Sequence, residues 1–312
     1  MKRIVLLVTV FMLAAGVLFA GGRRGDTDRI LIGYITPNMN DLFQVFVWEA
    51  FRDTFANMPE FQVVVHDAQE DTLRQQDLVN TLITQGARAL VVVPTDTSAM
   101  GPITAAAARA NIPLIYVNRN PFGDVPPPPN VFYVGSQEII AGRLQAENMG
   151  RLLRGQGGVA ILMGILGNEG ALLRTEGNEE ILRAQFPGVT ILDRQTGNWQ
   201  PDQGMNITQN WITAFGPQLN GILSNNDEMA LGAIEALRQA GRTDVLVMGV
   251  DAVPDALAAV RAGTMAGTVL QDARGQGGGA AMKAIRAIRG ERQDAVTWVP
   301  FVYIDQSNVN QF

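Results

Sequence analysis

The chain contains no cysteine and a single histidine, His66. Disulfides, thiolate nucleophiles and cysteine-bound zinc are thereby excluded, as is any mechanism that needs two imidazoles. Charged residues make up only 17% of the 312 residues, far from the composition of a solvated acidic or basic tail. Lys plus Arg number 24 against 30 Asp plus Glu, and the net charge of −6 argues against nucleic acid as a partner. Short internal repeats and low-complexity tracts are lacking as well. What is present is 47% hydrophobic residues on a length that suits two domains or one large one, enough to bury a core.

Long apolar runs are also scarce, with one exception. Lys2 and Arg3 precede an apolar stretch from Ile4 to Ala20 that ends in Leu-Phe-Ala before Gly21, the layout of a secretory signal peptide spanning 1–20. An uncleaved anchor is the alternative, since the stretch is at the lower limit for crossing about 30 Å of hydrocarbon. With no cysteine to acylate, a lipoprotein is excluded. The expectation is export to the periplasm, with a polar start over Gly21 to Asp28.

From Arg29 onward, short β-branched runs alternate with longer segments that carry apolar residues every three or four positions, the signature of repeated βα units. Strands are expected at Ile30–Ile35, Phe61–His66, Ala89–Val93, Leu114–Val117 and Val131–Val134. Helices are expected at Leu42–Phe55, Thr72–Thr84 and Ile103–Ala110. Pro121 to Asn130, with four consecutive prolines, can be neither helix nor central strand. Beyond it, strands near Val159–Met163, Val189–Leu192, Gly221–Ser224, Val245–Gly249 and Thr268–Leu270 alternate with helices Ile139–Leu153, Ala171–Gln185, Gln203–Ala214, Met229–Ala240 and Pro254–Ala262. The fold class is α/β, two doubly wound Rossmann-like lobes whose strand ends face each other across a cleft.

Residues that follow the strands line that cleft, and here they are polar or planar. The first half offers Asn38, Asn40, Asp41 and Phe43, then Asn118, Arg119 and Asn120. The second offers Asn168, Arg174, Trp199, Asn225, Asn226, Asp227, Asp251, Gln271 and Asp272. Sugar hydroxyls donate and accept, which suits carboxylates, carboxamides and guanidinium forks, while the C–H faces of the ring suit aromatic side chains. Each position has a plainer reading: Asn225, Asp227 and Asp272 suit helix capping, and Trp199 and Phe43 suit a core. Arg174 is harder to explain away, because a cation early in a helix opposes the macrodipole and calls for acceptors facing it. Gly164, Gly167 and Gly170 follow a strand as in a dinucleotide loop, but their spacing does not fit that fingerprint.

Two long stretches, NNDEMALGAIEAL (Asn225 to Leu237) and GVDAVPDALAAVRAGTMAGTVLQDA (Gly249 to Ala273), resemble the bacterial periplasmic galactose/glucose-binding proteins, with ribose-binding relatives. YVNRNP, YVGSQ and TGNWQPDQG follow the same order, so the resemblance runs from Arg29 to Phe312. It implies the type I periplasmic binding-protein fold, with three crossover segments joining lobes at 29–135 plus 272–297 and 136–271 plus 298–312. It implies one monosaccharide, glucose or galactose, delivered to an ABC importer's membrane permease and in some cases to a chemoreceptor. By position, Asp41, Phe43, Asn118, Arg174, Trp199, Asn226 and Asp251 match the family's ligand contacts. Asn168, Gly170 and Gln271 depart from the galactose/glucose pattern, which has histidine, aspartate and asparagine there, and Gln271 is what ribose binders carry. A pentose or another monosaccharide is thus the alternative ligand. The family's calcium loop is absent, because Gly155 to Gly158 is too short and has no carboxylate. No metal, cofactor or catalysis is expected, and a shuttle that docks on a membrane partner is expected to be a monomer. A sugar-responsive repressor would need an N-terminal helix-turn-helix, and an exported sugar enzyme a nucleophile motif; neither is found.

Overall fold

The computed structural model describes residues 29–312. The expected leader at 1–20 and polar start at 21–28 lie outside the described residues. In the first lobe the order is β1 (Ile30–Thr36), α1 (Leu42–Thr54), β2 (Phe61–Asp67), α2 (Thr72–Thr84), β3 (Ala89–Val92), α3 (Gly101–Ala110), β4 (Leu114–Asn118) and β5 (Val131–Gly135). The second lobe runs α4 (Glu138–Leu152), β6 (Gln156–Met163), α5 (Glu169–Gln185), β7 (Gly188–Thr196), α6 (Pro201–Phe215), β8 (Leu219–Ser224), α7 (Asp227–Gln239), β9 (Leu246–Met248), α8 (Pro254–Ala262) and β10 (Thr268–Leu270). The chain then forms α9 (Ala273–Ile288), β11 (Val296–Trp298) and β12 (Val302–Ile304).

Two parallel sheets result, one ordered β11-β5-β4-β3-β1-β2 and one ordered β7-β6-β8-β9. The antiparallel pair β10-β12 adjoins β9 through single bridges at Met248–Gly267 and Asp251–Leu270. β3 and β4 are buried along their whole length, as strands covered by helices on both faces must be, which explains their unbroken apolar runs. α1 turns Phe43, Val47, Trp48 and Phe51 inward at helical spacing, and Tyr34 of β1 packs 5.1 Å from Trp48 and 4.9 Å from Phe51 between ring centroids. In each sheet the strand order reverses once near the middle, between β1 and β3 and between β6 and β8, which opens a crevice at the carboxyl ends of those strands.

The expected strands and helices form, with shifted ends. β7 extends to Thr196, and its polar tail is tolerated because β7 lies at the sheet edge. α9, β11 and β12 are not among the expected elements. Gly275, Gly277, Gly278 and Gly279 give α9 poor intrinsic helix propensity, yet the helix packs lengthwise on α1. The reason is close approach: a Cβ at Gly277 would lie 2.2 Å from the Val47 carbonyl oxygen. Tertiary contact overrides propensity here.

This contrast is testable. Gly277→Val should lower stability by about 1–3 kcal/mol or more through overpacking. Gly278→Ala, whose nearest neighbour is Thr54 Oγ1 at 3.8 Å, should raise it by about 0.5–1 kcal/mol. Urea unfolding midpoints of the two variants against the parent chain check both signs.

Candidate functional site

The nine residues singled out from the sequence, Asp41, Phe43, Asn118, Asn168, Arg174, Trp199, Asn226, Asp251 and Gln271, all line one cavity of about 400 Å³ between the lobes. That size is within the range of small-molecule sites, roughly 300–1,000 Å³. Asp41 follows β1 and caps α1, accepting from Gln44 N (3.2 Å). Asn118 closes β4 with φ 68°, Trp199 follows β7 with φ 66°, and Asp251 follows β9 with φ 123°. Side chains rarely adopt such backbone conformations, and where they do the surroundings impose them, most often at functional sites.

Arg174, in the second turn of α5, is only 5% exposed and meets the acceptors its position calls for. Its Nε donates to Glu138 Oε2 (2.7 Å), Nη1 to the Asn225 carbonyl (2.5 Å) and Nη2 to Gln271 Oε1 (3.0 Å). Gln271 Nε2 donates in turn to Glu138 Oε1 (3.0 Å), and Asp251 Oδ1 stands 3.8 Å from Arg174 Nη1. Burial works against the guanidinium's charge, but Glu138 and Asp251 outweigh it and raise the Arg174 pKa. Burial raises the Glu138 pKa, partly offset by Arg174.

The amides in the cavity wall are engaged with protein partners. Asn118 accepts from Gln44 Nε2 (2.9 Å) and donates to Gln276 Oε1 (3.1 Å). Asn168 accepts from Trp199 Nε1 (3.0 Å) and donates across the cleft to the Thr95 carbonyl (2.8 Å). Asn226 caps α7 through Met229 N (3.1 Å) and donates to the Trp199 carbonyl (3.2 Å). A Cβ at Gly164 would lie 2.0 Å from Trp199 Cζ2, so the glycine that imitates a nucleotide loop instead makes room for the indole. The capping reading holds for Asp272, which accepts from Gly275 N (2.9 Å). Asn225 and Asp227 act otherwise: Asn225 Oδ1 accepts from Gly164 N (3.1 Å), and Asp227 accepts from Val253 N (3.0 Å) and Thr268 Oγ1 (2.6 Å).

Groups with bonding capacity left are few and complementary. Asp251 has no side-chain hydrogen bond, and Asp41 uses only one carboxylate oxygen. Arg119, buried on the first lobe, spends Nη1 on the Pro94 carbonyl (2.9 Å), and Arg174 retains further N–H donors. Two carboxylates and two guanidinium groups over the rings of Phe43 and Trp199 can bind a polyol, each hydroxyl accepting from a guanidinium and donating to a carboxylate. Sequence reasoning missed Gln44, Glu138 and Arg119 as cavity residues. Arg119 stood among the strand-end residues, and Glu138 follows β5 by the same rule. Among the described residues, no group of His, Asp and Glu side chains is placed to hold a metal ion, and no helix is long and apolar enough to cross a membrane.

Comparison with known proteins agrees with this architecture. Residues 32–292 match the family described as periplasmic binding protein domain. A putative rhizopine-binding protein of Rhizobium meliloti is 35% identical over 303 residues, which cover 96% of each chain. The ribose import binding protein of Escherichia coli is 31% identical, covering 95% of each. The crystal structure of an ABC transporter solute-binding protein from Bacillus halodurans with bound myo-inositol superposes with a TM-score of 0.85 at 34% identity, covering 92% of this chain and 98% of that one. The fold is the type I architecture the resemblance implied, and the chain belongs to the periplasmic binding protein family, as a binding protein rather than an enzyme.

Proposed function

We propose that this protein captures a small polyhydroxylated ring, of cyclitol or pentose size, and hands it to the membrane permease of an ABC importer by closing its two lobes over the ligand. The observation that carries the reading is the set of unspent groups, Asp41 and Arg119 on one lobe facing Arg174 and Asp251 on the other across one cavity. A ligand that bridges them binds the closed form better than the open one and shifts the population toward it. Relatives named for rhizopine and ribose, and the myo-inositol held by the Bacillus halodurans protein, favour a cyclitol or pentose over the glucose or galactose first suggested by resemblance. Gln271 agrees with that shift. The pairing of β11 with β5 and of β12 with β10 supports the lobes assigned as 29–135 plus 272–297 and 136–271 plus 298–312. Export by a leader cleaved after Ala20, action as a monomer, and reading of the closed form by a chemoreceptor belong to the same proposal.

A thermal-shift panel of glucose, galactose, xylose, ribose, arabinose and myo-inositol tests the ligand class, because a ligand that binds only the folded state raises the melting temperature. The largest shift should come from inositol or a pentose; a largest shift with glucose or galactose would overturn the choice. On the ligand so found, Asp251→Ala and Arg174→Ala should each weaken binding by about one to two powers of ten, because a hydrogen bond to a charged group contributes roughly 1.5–3 kcal/mol. Calorimetry that finds unchanged affinity in both Asp251→Ala and Trp199→Ala would refute the site.

A further inference from the structure

Lobe closure sets carboxylates against one another. Asp41 comes from the rim of the first lobe, Asp251 and Glu228 from the rim of the second, and each lies within the electrostatic reach of the others. The Asp251 side chain is 5% exposed, lines the cavity and makes no hydrogen bond; its nearest cation is Arg174 Nη1 at 3.8 Å. Its backbone at φ 123° is a conformation that only the surrounding structure can hold, and it keeps that carboxylate at the cavity wall. The cations that could satisfy it are already committed. Arg174 is bonded to Glu138, and Arg119 donates to the Pro94 carbonyl with Glu70 3.7 Å away.

We propose that the ligand for which this cavity is built carries an ammonium group, seated between Asp41 and Asp251: an aminated cyclitol or an amino sugar. The inference rests on the reading of the cavity as a polyol site and narrows it. A hydroxyl donates one proton and brings no charge, so it satisfies one carboxylate and leaves the repulsion across the cleft in place. An ammonium group has three donors, reaches both carboxylates and cancels the repulsion that closure creates, so it favours the closed form doubly.

The groups that face Asp251 are Arg174 on α5, Asp227 and Glu228 on α7, and Asp41 ahead of α1. Asp41 faces Arg119, Arg174, Asp251, Glu228 and Glu70. Burial raises the pKa of both aspartates and pushes Asp227 and Glu228 up to about 7. Protons therefore compete with a cationic ligand as pH falls below neutrality. Affinity for an amine should drop between pH 7.5 and 5.5, while that of its hydroxyl counterpart does not fall in parallel.

Calorimetry on the purified protein with matched pairs, an inositol against its aminodeoxy analogue and glucose against glucosamine, reads the preference directly. At pH 7.5 the amine of at least one pair should bind about tenfold more tightly than its hydroxyl partner, the difference between a charge-assisted and a neutral hydrogen bond. The preference should shrink at pH 5.5 and be lost in Asp251→Asn, with Asp41→Asn as a second variant and thermal unfolding as the check that each folds. If hydroxyl members bind as tightly as the amines or more tightly at pH 7.5, the ammonium socket is overturned and the polyol reading stands. If neither these pairs nor the sugars of the thermal-shift panel bind, the polyol reading fails and the socket with it.

Discussion

The burial of one guanidinium orders this site. An arginine cannot shed its charge inside a protein, so a buried one must be surrounded by acceptors or it costs several kcal/mol. Arg174 obtains them from Glu138 where β5 hands over to α4, from the Asn225 carbonyl after β8, and from Gln271 after β10. The Glu138 and Gln271 positions fall in the segments where the chain leaves one sheet for the other. The same ring of hydrogen bonds thus fixes the binding cation and ties it to the connections about which the lobes would turn.

Direct contacts between the lobes complete the enclosure. Thr97 N donates to the Gly167 carbonyl (3.1 Å), Asn168 Nδ2 to the Thr95 carbonyl (2.8 Å), and Asn120 N to Glu169 Oε2 (2.9 Å). Each such bond contributes on the order of 0.5–1.5 kcal/mol net, since open lobes would give these groups to water. Together they bias the closed form without deciding it, which leaves ligand contacts to supply the difference between the two states. Burial and the nearby Glu138 push the Glu169 pKa up to about 8, and Asn120 N opposes the shift, so this latch shares the carboxylate crowding of the cavity.

What was legible in the sequence follows from period and position. β-branched runs such as Ala-Leu-Val-Val in β3 announced a parallel sheet, and the rule that strand ends line the crevice gathered the nine cavity residues before any geometry was known. α9 stayed hidden because its glycines report the approach of α1, a contact between segments far apart in the chain. Glu138 stayed hidden for a related reason. A glutamate that opens a helix looks like a favourable first-turn acid, and its role depends on Arg174, which reaches it from a different helix. The division of labour among the amides was equally out of reach. Asn118, Asn168 and Asn226 have the chemistry to bind hydroxyls, but only their neighbours show that they hold the wall together.

Glu138 and Gly170 amount to a single decision about specificity. A Cβ at Gly170 would stand 3.7 Å from the Glu138 carboxyl and 3.8 Å from Arg174 Nε, in ordinary contact, so the position has room for a side chain. The aspartate that the galactose/glucose pattern has at this place would set a second carboxylate against Glu138, and two such groups sharing one guanidinium cannot both remain ionised at low cost. A chain that draws the partner of Arg174 from α4 therefore keeps position 170 small. Its carboxylate then bonds inward to Arg174 and Gln271, and the face that an aspartate would present to the ligand is left to the ligand itself. The departures at Gly170 and Gln271, separate oddities in the sequence, are in the structure one consequence of where the acid that neutralises Arg174 comes from.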